Sequence, residues 1–185
     1  KKPVVLITKT ENEAKEAYNC IRFLSGNNSK ILHLPQSNKS PYQSSHADPI
    51  LNMERMAVLF KIAIEDNFQI LVTSTFALIN KSVPFSALQE NACMLEVGLE
   101  ISRNELTTKL TKLGYSKVRT VEDIGCFALR GSIIDIFWPG VDMPMRIDLF
   151  GDMIESIKSF DPKTQLTKEK YSEFVFGPVK EVILN

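Results

Sequence analysis

Catalysis and cofactor binding need particular side chains at particular spacings, and this chain offers few such sets. A nucleotide-binding loop converges glycine amides on a phosphate and adds a lysine charge. The eight glycines here are scattered, and neither Gly-x-x-x-x-Gly-Lys-Ser/Thr nor Gly-x-Gly-x-x-Gly occurs. A Gly-x-Ser-x-Gly elbow and a His-Glu-x-x-His pair are absent as well. Ser44, Ser45, His46 and Asp48 crowd one stretch, but triads are assembled from distant segments, and such a stretch reads as a solvated loop. Asp135, Asp148 and Asp152 suggest oxygen ligands for a metal. Alternation with apolar neighbours instead puts the first two on the polar face of strands, and Asp152 follows Gly151 in a turn. What remains is a set suited to binding. Arg146 and Asp148, two apart, share a strand face, and Arg130 ends another strand beside Gly131. On neighbouring strands these three would form a compact patch of mixed sign, where guanidinium forks make bidentate bonds and tolerate desolvation. The plainer alternative is a surface ion pair between Arg146 and Asp148, worth about 0–1 kcal/mol.

The elements that must position these residues follow from periodicity. Val4 to Thr8 is a β-branched run that reads as a buried parallel strand. Thr10 and Glu13 have capping-box spacing; Ala14, Ala17, Tyr18, Ile21 and Leu24 recur as a helix does, and Gly26 closes it. Lys30 to Leu34 completes a βαβ unit, which favours a right-handed crossover. Asp48-Pro49 starts a helix whose buried stripe is Met53, Met56, Ala57, Phe60, Ala63 and Ile64. Phe68 to Thr73 and Cys93 to Val97 are further strands. Near residue 100 the pattern changes. Ser102 and Glu105 open a helix with Leu106, Leu110 and Leu113 as its stripe and Gly114 as its stop. A meander of short strands follows at 126–130, 132–137, 145–150 and 153–160, divided by Gly131, Pro139-Gly140 and Gly151-Asp152. Strands in a run after βα alternation predict a second, α+β domain. Phe137, Trp138, Phe150 and Phe160 fall on the apolar phase or at strand ends and are expected in the core, not as a base-stacking platform. Val179 to Leu184 reads as a segment returning toward the first sheet.

Composition narrows the classes further. The 185 residues carry 22 Lys+Arg against 22 Asp+Glu, so the chain has no global field for phosphates. No apolar run approaches the roughly 20 residues that cross a bilayer, and Lys1 to Ile7 lacks the form of a signal peptide. Cys20, Cys93 and Cys126 are far apart and suit packing in a reducing compartment; two histidines, His33 and His46, leave little for a metal site. These residues indicate a cytoplasmic binding module and not an enzyme.

Three stretches, in this order, carry a resemblance: Ala128-Leu129-Arg130-Gly131-Ser132-Ile133-Ile134-Asp135-Ile136-Phe137; Met145-Arg146-Ile147-Asp148-Leu149-Phe150-Gly151-Asp152-Met153-Ile154-Glu155; and Phe160-Asp161-Pro162-Lys163-Thr164. Together they are similar to the signature of the UvrB homology module. That module occurs in UvrB, an excinuclease protein of bacterial nucleotide excision repair, and in the transcription-repair coupling factor (Mfd). Weaker similarity covers nearly the whole chain, including Pro3 to Ile7 and Leu113-Gly114-Tyr115. In UvrB a long tyrosine-rich hairpin that clamps DNA follows the second strand. Here Pro35 to Asp48 holds one aromatic, Tyr42, and resembles the shortened coupling-factor version.

The resemblance implies an α/β fold in two parts. Residues 1–100 correspond to a partial RecA-like parallel sheet with helices (domain 1A), degenerate, without its phosphate loop and inactive as an ATPase. Residues 101–170 correspond to the smaller, mainly antiparallel α+β domain 2, which recruits the excinuclease protein UvrA, and residues 171–185 are the return segment. In the family the recruiting surface matches Arg130, Arg146 and Asp148; Arg119 and Phe127 align more loosely. The expected function is a non-catalytic recruitment module of a coupling factor, the alternative being a fragment of UvrB itself. The chain is expected to be part of a longer ATP-dependent DNA translocase. No cofactor is expected in it: ATP and magnesium, DNA and RNA polymerase belong to other domains of the parent, and no membrane is implied. Phe137-Trp138-Pro139 departs from the family's Phe-Pro motif, which leaves the geometry of that turn open.

Overall fold

Strand β1 (Val4–Thr8), helix α1 (Glu11–Leu24), strand β2 (Ile31–Leu34), helix α2 (Pro49–Ile64) and strand β3 (Ile70–Ser74) follow the order read from periodicity. The computed structural model describes residues 2–26, 30–37, 48–64, 68–79 and 81–180. Thr10 caps α1 reciprocally: its hydroxyl accepts from the Glu13 amide at 3.3 Å, and the Glu13 carboxylate accepts from the Thr10 amide at 3.3 Å. Asp48 opens α2, its Oδ1 accepting from the Ile50 amide at 3.0 Å. The three strands form a parallel sheet in the order β1-β3-β2. Leu71 to Ser74 of the central strand are buried, while Val4, Val5 and Ile7 on the β1 edge are exposed. Helix α2 buries Met56, Ala57, Leu59 and Phe60 together with Arg55, which the apolar stripe does not indicate. Its guanidinium donates to the Pro35 and Ala77 carbonyls at 2.7 and 3.0 Å and to Ser82 at 2.8 Å, tying α2 to the chain beyond β2 and β3. Helices α3 (Thr75–Ile79) and α4 (Phe85–Glu90) follow.

Two compact units divide the chain between Gln89 and Glu90. Strand β4 (Cys93–Glu96) pairs antiparallel with β11 (Glu173–Phe176) inside the second unit. Residues 181–184 of the expected last strand, and Tyr42 with most of the 35–48 stretch, lie outside the described residues.

In the second unit Ser102 caps α5 (Arg103–Lys112) through the Glu105 amide, and Leu106 and Leu110 are buried. Six strands follow: β5 (Ser116–Lys117), β6 (Cys126–Arg130), β7 (Ile133–Phe137), β8 (Met145–Phe150), β9 (Met153–Phe160) and β10 (Thr167–Tyr171). They form one sheet in the order β10-β9-β8-β7-β6-β5, antiparallel except where β5 meets β6. Register gives this sheet two different faces. Phe127, Ile134, Ile136, Ile147 and Ile157 line one and are fully buried. The other carries Ala128, Asp135, Arg146, Lys158 and Lys170 in one row across five strands, and Arg130, Ile133, Asp148 and Ser156 in the next. Ala128 and Phe137 of this second face join Val121 and Phe160 in a small apolar cluster, flanked by Val118, Ile124 and Val141. Trp138 is buried over the turn that follows β7, close enough that any Cβ on Gly140 would lie 2.2 Å from its ring. Among the described residues no helix is long and apolar enough to cross a membrane.

Candidate functional site

Two tight turns finish the same end of the antiparallel sheet. Gly131, at φ +59°, follows Arg130 where β6 turns into β7, and Gly151, at φ +63°, follows Phe150 where β8 turns into β9. Left-handed backbone of this kind suits glycine. The Leu149 amide donates to the Ser132 carbonyl at 3.1 Å and ties the two turns together. Arg130, Ile133 and Asp148 thus stand side by side, with Phe150 at the tip; that ring, expected in the core, is 74% exposed.

Arg146 and Asp148 share a face, as alternation requires, but they do not pair with each other. Arg146 lies opposite Asp135 and grips its carboxylate with both arms of the fork, Nε to Oδ1 at 2.7 Å and Nη2 to Oδ2 at 2.9 Å. The Asp135 side chain is 0% exposed and that of Arg146 13%. The guanidinium also lies over the Phe160 ring at 4.4 Å and donates from Nη1 to the Gln165 carbonyl at 3.1 Å. The bonds it donates to Asp135 raise the already high proton affinity of Arg146, against the opposing effect of burial. Asp148 instead accepts from Lys158 Nζ at 2.8 Å and Ser156 Oγ at 2.6 Å. Burial alone would raise its pKa, but these bonds, with the charges of Lys158 and Arg146, hold it below the usual carboxylate value.

Arg130 is exposed, and its Nη2 donates to Gln165 Oε1 at 3.2 Å. Sequence pattern does not single out Gln165, although it lies one residue past the Phe160-to-Thr164 signature, because glutamine has no marked periodic or chemical signal of its own. Arg119 is exposed on the segment between β5 and β6, two residues before Val121, whose carbonyl accepts from Gln165 Nε2 at 3.1 Å. Phe127 does not belong to this surface. It points to the opposite face and is fully buried, so the contact role expected for it is withdrawn. Asp152 lies in the β8–β9 turn, and no group of three or more His, Cys, Asp or Glu is placed to hold a metal ion among the described residues.

At the carboxyl ends of the parallel strands, where α/β sheets bind ligands, a carboxylate is already installed. Glu11 Oε2 accepts from Ser74 Oγ at 3.0 Å and from the Gln36 amide at 3.1 Å. Its Oε1 lies 3.1 Å from His33 Nε2 without the alignment of a hydrogen bond. Burial lowers the His33 pKa, with Glu11 pulling the other way. This network joins α1 to β2 and β3 and presents negative charge where a phosphate site would present amides.

Residues 93–181 match the model of the UvrB interaction domain. Over 98% of its length the chain is 35% identical to a transcription-repair-coupling factor of Myxococcus xanthus, of which it covers 16%. Over 97% it is 28% identical to the transcription-repair-coupling factor of Escherichia coli (strain K12), covering 15% of that protein. Over 78% it is 33% identical to the UvrABC system protein B of Kosmotoga olearia, covering 22%. The chain thus spans a small part of the length of these relatives.

Proposed function

We propose, from the match of residues 93–181 to the model of the UvrB interaction domain, that this chain is the docking module of a transcription-repair coupling factor, recruiting the excinuclease protein UvrA. It acts by binding and not by catalysis. ATP and magnesium, DNA and RNA polymerase are assigned to other parts of a longer, cytoplasmic polypeptide. The observation that carries the proposal is the sheet end where Arg130, Asp148 and the exposed Phe150 stand together, backed by an Arg146 that is already desolvated and oriented. Such a surface matches what interfaces use at their centres: aromatic area, arginine forks and few rotamers left to freeze. The test is titration of UvrA with the chain and its Arg130→Ala and Asp148→Ala variants. A central arginine costs at least about 2 kcal/mol on truncation, roughly thirtyfold in affinity. Less than threefold loss in both variants would move the interface elsewhere.

The alternative, a fragment of UvrB, draws on the match to UvrABC system protein B. It predicts tight binding of damaged duplex with a steep salt dependence. The coupling-factor reading predicts weak, non-selective binding instead.

A further inference from the structure

Gln165 is the one residue other than glycine with positive φ among the described residues, at +61°. Backbone of this kind persists in a non-glycine residue where the surroundings over-determine it, and it points to a function to be sought. Here the surroundings are explicit. Asp161 Oδ1 accepts from the Lys163 and Thr164 amides at 2.9 and 3.0 Å, and the Gln165 amide donates to the Asp161 carbonyl at 2.7 Å, which winds the β9–β10 turn. The side chain then bridges three segments. Its Nε2 donates to the Val121 and Pro162 carbonyls at 3.1 and 2.8 Å, and its Oε1 accepts from Arg130 at 3.2 Å. The orientation of the amide is forced, because carbonyls only accept and a guanidinium only donates. Meanwhile the Gln165 carbonyl takes Nη1 of Arg146.

We propose that Gln165 is a positioning residue of the docking surface: it holds the Arg130 guanidinium in the geometry the partner meets. This rests on the docking reading above. An arginine at a strand end beside a glycine turn has many rotamers, and each immobilised side chain costs affinity on association. Gln165 meets that cost within the free chain, so its removal lowers affinity through Arg130 while leaving the Arg146–Asp135 pair in place.

The test uses the whole chain with UvrA and Gln165→Gly, which keeps the left-handed backbone and the carbonyl on Arg146. Affinity falls roughly three- to tenfold, the range for one side chain released. In the Arg130→Ala background the same change has less than a twofold effect. Full affinity of Arg130→Ala overturns the docking reading itself. Loss in Arg130→Ala but none in Gln165→Gly overturns the positioning role alone. Equal losses with and without Arg130 make Gln165 a scaffold residue and overturn it as well.

Discussion

Arg146→Ala tests the arrangement most severely, because it leaves a fully buried carboxylate without the fork that now holds it. Asp135 receives two bonds from Arg146, at 2.7 and 2.9 Å, at 0% side-chain exposure. Breaking one partner of a buried pair costs about 3–5 kcal/mol. The low end applies, since shaving a residue that is itself 13% exposed admits some water. Loss of the stacking on Phe160 adds about 0.5–1 kcal/mol. The sum, about 3–4 kcal/mol, is far above the roughly 0–1 kcal/mol of an ordinary surface pair. For a unit of this size it lowers the melting temperature by on the order of 12 °C or more. The chain's single tryptophan, Trp138, is buried in the same unit, so its emission during urea or thermal unfolding reads that unit. Asp135→Asn/Arg146→Ala removes both charges together and falls short of the summed losses of its two single variants by at least about 1.5 kcal/mol. A cost under 1 kcal/mol for Arg146→Ala, or additivity in the cycle, refutes the buried-pair account. A corollary bears on binding assays: partner capture lost in Arg146→Ala reports folding as much as contact, which is why Arg130 and Asp148 are the cleaner probes.

Gly140→Ala forces a methyl to within 2.2 Å of the Trp138 ring; overpacking of this kind costs about 1–3 kcal/mol and shifts tryptophan emission to the red in the folded state. Asp148 and Asp161 both titrate below the usual carboxylate value, Asp161 chiefly through the Thr164 and Lys163 amides. With folded values below the unfolded value of about 3.9, their stabilisation is complete above that pH and is lost as pH falls through the folded values. Acid titration followed by Trp138 emission therefore gives an unfolding transition below about pH 4, and Asp148→Asn makes its pH dependence shallower.

The strands with one apolar face are legible in the sequence because alternation at a period of two records burial directly. β6 to β9 begin and end within a residue of expectation for that reason. β10 escapes that signal because Thr-Lys-Glu-Lys-Tyr is exposed throughout and has no apolar phase, and β5 because it is two residues long. The partner of Cys93–Glu96 is hidden for a different reason. A short apolar run states that it pairs, never with what, and its actual partner lies about 80 residues away at Glu173–Phe176. At the site, periodicity places Arg146 and Asp148 on one face but does not say which acid faces which base. That is decided by cross-strand register, Asp135 against Arg146 and Arg146 against Lys158. Phe127 and Phe150 depart from expectation in opposite senses. Both are aromatic strand residues, and only the pleat and the glycine turn at 151 put one fully inside and the other at an exposed tip.

The two arginines therefore do different work from nearly adjacent rows. Arg146 is committed to the fold: both arms engage Asp135, its plane rests on Phe160, and its remaining amine holds the Gln165 carbonyl. Its small exposed fraction is already ordered and has little rotamer freedom left to lose. Arg130 keeps its fork exposed and is aimed by one bond from Nη2, to Gln165, which leaves its other donors for a partner. This sheet end thus carries one guanidinium committed to the fold and one aimed outward, with Asp148 in the same row as Arg130 and already bound to Lys158 and Ser156. An acidic group aligned with Arg130 gains a bidentate bond, while one displaced toward Asp148 meets a carboxylate that is held ionised and repels it.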